Sequence, residues 1–76
     1  MPRNEQRPVI FGTHARKRAA ERFFDLNNAE AIVRTGAIRP DAKCDFIAFG
    51  AFGGQRIECA CLDKGDHIFV KTVYPG

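Results

Sequence analysis

Apolar and polar residues alternate through the last third of the chain. The runs DFIAFGAF (45–52), QRIECACL (55–62) and HIFVKTVY (67–74) each follow a two-residue period rich in β-branched and aromatic residues, which predicts strands. The connectors GG and DKGD are hairpin signals, so the three runs form an antiparallel meander. Upstream the period lengthens. In THARKRAAERFF (13–24), Ala15, Ala19 and Phe23 recur every fourth residue, with Ala20 and Phe24 beside them, and Thr13 stands where an N-cap belongs. His14, Arg18, Glu21 and Arg22 then share the polar face. DLNNAEAIVRTG (25–36) predicts a second helix. Asn27 and Glu30 start it in the manner of a capping box, Ala29, Ile32 and Val33 supply its apolar side, and Gly36 sits where a left-handed stop is expected.

Ahead of the helices, Pro2 and Pro8 interrupt the chain, and only VIFG (9–12) is able to pair as a short edge strand. The predicted class is therefore α+β: two N-terminal helices packed on a small antiparallel sheet, a three-stranded meander with VIFG as a fourth, edge strand. Residues 1–10 read as an arm and 11–76 as a single domain. A chain of 76 residues closes one modest core and no more.

Charge is unevenly spread. Six basic residues stand against two acidic ones through Arg22, whereas the remainder carries six against seven. A basic segment on a neutral body suits phosphate contact, and it also suits a solvated helix surface. No apolar run approaches the roughly 20 residues that span a bilayer, and MPRNEQRPV lacks the apolar segment of a secretion signal, so a soluble cytoplasmic protein without a membrane partner is expected. Three cysteines are an odd number for a disulfide framework. Cys59 and Cys61 fall on one strand face. Buried thiols in a β core are the favoured reading, over a metal pair completed by His67 or Cys44, and no metal or cofactor is expected. No phosphate-cradling glycine loop and no H-E-x-x-H is present.

The pattern H-A-x-x-R-x-x-E-R (His14, Ala15, Arg18, Glu21, Arg22), the Gly36 that closes the second helix, and the T-x-Y-P of Thr72, Tyr74 and Pro75 resemble domain of unknown function 4258. That family in turn resembles the RelE, ParE and BrnT toxin fold. The resemblance runs from about Phe11 to Pro75, and it implies a compact helix-helix-sheet body. It also implies a toxin-like domain directed at RNA, in a superfamily where many members cut RNA without metal and others bind another target.

Metal-free cleavage of RNA needs a base for the 2′-hydroxyl, cations for the phosphate and an acid for the leaving oxygen. Histidine is the side-chain type that ordinarily changes charge nearest neutral pH, so His14 is the candidate acid or base; Arg18 and Arg22 are the candidate phosphate clamps, and Tyr74 completes the catalytic set. Arg16, Lys17 and Lys71 are candidate RNA contacts. In a regular strand Lys71 and Tyr74 face opposite sides, so only one of them shares a face with the helix site.

The same residues also fit a plainer reading. His14 can close a local hydrogen bond, Glu21 can pair with Lys17 or Arg18 in a solvated ladder, and Tyr74 can cap the core. Phe46 and Phe52 share one strand face and Phe49 takes the other, which leaves a phenylalanine for a partner. The competing function is thus a non-enzymatic module of phage or mobile-element origin, docking on an antitoxin, a host protein or another protein partner.

Overall fold

The alternating runs fold as the pattern predicts, and two further strands extend them to a mixed sheet. The computed structural model describes residues 5–75. In chain order it contains β1 (Val9–Phe11), α1 (Thr13–Glu21), α2 (Leu26–Thr35), β2 (Ala37–Arg39), β3 (Phe46–Phe52), β4 (Gln55–Asp63) and β5 (Ile68–Pro75). The sheet order is β1-β5-β4-β3-β2. Strands β3, β4 and β5 form the expected meander, with Gly53, Gly54 and Gly65 supplying the positive φ of the two turns. The VIFG segment does add an edge strand, parallel to β5.

The sheet has five strands, not three or four. The additional one, β2, lies in AIRPDAKC (37–44), where the sequence pattern predicts no element; its three residues are too few to show a period, and pairing with Ile47–Phe49 defines it. Both helices cover one face of the sheet, α1 over β5 and α2 over β3 and β4. Between them lies the core: Ala15, Ala19, Phe24, Ala29, Ile32 and Val33 against Ala48, Ile57, Cys59, Cys61, Ile68, Val70 and Val73.

Three local expectations are corrected. Helix α1 is capped by Gly12, with Thr13 already its first helical residue, and α2 by Asp25, whose carboxylate accepts from the Asn27 amide at 2.8 Å. Gly36 is not left-handed: at φ −73° and ψ 174° it leads straight into β2. It is Phe23, at φ 59°, that takes the left-handed stop, ending α1 and breaking the row of Ala15 and Ala19 before it reaches the ring.

Part of the predicted arm is tied down. The Glu5 amide donates to the Arg34 carbonyl, and the Arg34 guanidinium donates back to the carbonyls of Glu5 and Arg7, each at 2.9 Å. Pro2 lies outside the described residues.

Candidate functional site

With the helices on one face, strand alternation leaves the other face of the sheet uncovered. Register places Ala37 and Arg39 of β2, Ile47 and Phe49 of β3, Arg56, Glu58 and Ala60 of β4, and Thr72 and Tyr74 of β5 on it. Lys71 joins them through a bulge. Cys61 pairs with Val70 and Ala60 with Thr72, so Lys71 is an extra residue between the two pairs. The expectation that Lys71 and Tyr74 face opposite sides therefore fails, because the strand is not regular there.

Lys71 and Tyr74 line a cleft of about 210 Å³, with Lys43 and Thr72 at its sides and Ile47 and Ala60 in its floor. Asp41 helps to wall the cleft. Its carboxylate accepts from the Lys43 amide at 2.9 Å, which holds its pKa below the usual carboxylate range and turns the 41–44 loop back over the strands. The Lys71 ammonium donates to the Lys43 carbonyl at 3.4 Å, which joins β5 to that loop. Burial pushes the Tyr74 phenol upward, and the Glu58 carboxylate adds to the shift, so the hydroxyl keeps its proton at neutral pH.

Beside the cleft, the Phe49 ring lies under two guanidinium groups, Arg39 at 5.2 Å and Arg56 at 5.8 Å from its centroid. Glu58, only 8% exposed, accepts a hydrogen bond from Arg39 and fixes that side chain over the ring. A shallow concavity against Ala37, Gly50 and Ala51 continues the surface past Phe49 and Arg56. Arg39, Arg56 and Lys43 are absent from the residues singled out in the sequence. The alternation Arg56-Glu58-Ala60 held the signal for Arg56, but Arg39 lay in an unrecognised strand and Lys43 in a loop.

The remaining predicted site residues stand on α1. His14, Arg16, Lys17 and Arg22 are exposed and Arg18 is half-buried. Arg18 approaches the His14 Nε2 at 3.5 Å and pairs with Glu21 at 3.3 Å, and Arg16 donates to the Phe11 carbonyl. These cations belong to the helical layer, so the sheet separates His14, Arg18 and Arg22 from Tyr74. The four are not one constellation.

Cys59 and Cys61 are buried in the core, where burial pushes the Cys59 thiol up to about 12. Among the described residues no three His, Cys, Asp or Glu side chains gather as metal ligands, and no helix is long and apolar enough to cross a membrane. No curated protein and no solved structure matches the chain. The family model described as Domain of unknown function (DUF4258) does match it, over residues 11–75 and so from the last residue of β1 through β5, and the chain belongs to that family.

Proposed function

We propose that this is an RNA-directed domain that holds single-stranded RNA on the uncovered face of its sheet. One observation carries the reading: Arg39 and Arg56 both hold their guanidinium groups over the Phe49 ring, next to a cleft edged by Lys43, Lys71 and Tyr74. An aromatic face offers stacking to any base, and flanking cations supply the sequence-independent attraction to phosphate. Two rings, Phe49 and Tyr74, and four cations meet that description on one surface. Contact is favoured over cleavage. The protonated Tyr74 is suited to donate a proton but not to take one, and His14, the candidate base, belongs to the helical layer.

The test is binding of a mixed-sequence fluorescent single-stranded RNA over about 50 to 200 mM salt. Affinity should fall steeply with salt, and Phe49→Ala should weaken it by about five- to a hundredfold, the range of one lost stacking contact. Cleavage in EDTA, with Tyr74→Phe in parallel, is read separately. Binding that is insensitive to salt would overturn the proposal. Binding that survives Phe49→Ala and Lys71→Met but is lost in Arg18→Ala and Arg22→Ala would move the contact to α1.

A further inference from the structure

The cleft beside Phe49 contains one group that phosphate contact does not explain. Ile47 and Ala60 stand outside the core under the helices, yet they are only 2% and 7% exposed, and the cleft opens over them. Its volume of about 210 Å³ lies below that of pockets for drug-sized ligands and suits one planar ring system on an apolar floor. Into this cationic setting the chain puts a carboxylate. Asp41 Oδ2 accepts from the Lys43 amide at 2.9 Å and from the Cys44 thiol at 3.5 Å, whereas Oδ1 accepts no hydrogen bond among the described residues. The Lys43 amide holds the carboxyl below its usual range, so at neutral pH Asp41 is ionised and only accepts. Such a group weakens a phosphate site and serves a ligand that brings N–H donors.

The four RNA bases differ in what they offer it. Adenine and cytosine carry a bare ring nitrogen beside the amino group, and uracil flanks its single N–H with two carbonyl oxygens, so each turns a lone pair toward the carboxylate. Guanine alone presents two adjacent donors, N1–H and N2–H. Its O6 is answered by donors of the same cleft, the Lys71 ammonium and the protonated Tyr74 hydroxyl. We infer that the cleft is a base-reading subsite that takes one guanine of a single-stranded RNA, with its N–H edge on Asp41 and its ring on Ile47 and Ala60. Phe49 and its two arginines then hold a neighbouring nucleotide of any sequence. Selectivity comes from repulsion as much as from attraction, because the other bases set lone pairs against a fixed negative charge. The inference rests on the sheet-face proposal.

The test compares short fluorescent oligouridines that carry G, A, C or U at the central position, at about 50 mM salt. The guanine RNA should bind the wild-type protein about five- to a hundredfold more tightly than the other three, the span of one specific base contact. Inosine, which lacks the N2 amine, should fall between. Guanosine monophosphate should compete at least about fivefold more weakly than the guanine RNA, since it leaves Phe49 without a base. In Asp41→Asn the amide oxygen keeps the Lys43 bond and the NH2 group faces the cleft as a donor. Guanine preference should then vanish, while the all-uridine RNA keeps or gains salt-sensitive affinity. The base panel and the inosine comparison use the wild-type protein, so they do not depend on the stability of the variant. Equal salt-sensitive affinity for all four RNAs would overturn this inference and leave the sheet-face proposal standing, whereas no salt-sensitive binding of any of them would overturn both. Inosine bound as tightly as guanine, a free nucleotide that competes as well as RNA, or an undiminished preference in folded Asp41→Asn would also overturn it.

Discussion

Lys71 and Tyr74, three residues apart on β5, line the same cleft, because the bulge opposite Ala60 and Cys61 inserts Lys71 between two regular pairs. An ammonium is thereby added to a face that alternation alone would have denied it. Lys71→Met keeps the stem that lies along the cleft and removes the charge. RNA affinity should drop by roughly three- to tenfold at low salt, with the slope of log affinity against log salt shallower by about one unit. Stability should stay within about 0.5 kcal/mol, as for most surface substitutions. An unchanged slope would remove Lys71 from the phosphate contacts.

Tyr74 is the only tyrosine and tryptophan is absent, so the long-wavelength ultraviolet band of tyrosinate reads its ionisation alone. Burial and then the Glu58 carboxylate hold the phenol above its ordinary value of about 10. For an acid whose pKa is raised by folding, the contribution to stability is fully present below the unfolded value and is lost as pH rises through the folded one. The protein should therefore weaken progressively above about pH 10, and Tyr74→Phe should flatten that alkaline decline. A phenol that titrates at the free value in the folded protein would contradict the half-buried placement beside Glu58.

Gly36 is required for space, not for a left-handed turn. A Cβ there would stand 2.6 Å from the Ile32 carbonyl oxygen and 2.8 Å from that of Phe49, both backbone atoms that cannot swing aside. Gly36→Ala should therefore destabilise the fold by about 1–3 kcal/mol, the usual cost of overpacking, and lower the urea midpoint without changing the slope. Phe49 lies on the proposed RNA face, so the same variant should also weaken RNA binding. A neutral substitution would mean that the junction of α2 and β2 relaxes freely.

The meander and the apolar side of α2 were legible in the sequence because their periods persist through several residues. Ala29, Ile32 and Val33 are buried as their spacing predicts. Helix ends were harder to read. Glycine marked Gly36 as the left-handed stop, yet the left-handed residue is Phe23, which no propensity argument would select. The uncovered face was legible only in single residues and not in its arrangement. Tyr74 and Lys71 were singled out, but the bulge that unites them has no local signature, and the layer that divides them from His14 follows only from both helices covering the same face.

Arg7 joins the N-terminal segment to the β4–β5 turn. Its guanidinium donates to both Glu5 carboxylate oxygens, each at 2.8 Å, to Asp63 at 2.8 Å and to the Gly65 carbonyl at 3.2 Å. The bond from Arg7, followed by that from the Gly65 amide, depresses the Asp63 pKa below the ordinary carboxylate value of about 4. A depressed carboxyl contributes stability that is present above the unfolded pKa and lost as pH falls through the folded one. Arg7→Met should thus lower the melting temperature most at neutral pH, and the gap from wild type should narrow below about pH 4 as Asp63 takes up its proton. Part of the gap should persist in acid, since the bond to the Gly65 carbonyl does not titrate. Thermal melts of both proteins from about pH 2 to 7 would check this, and a gap of constant size would show that Arg7 acts on the fold through packing and the Gly65 carbonyl, not through its carboxylate partners.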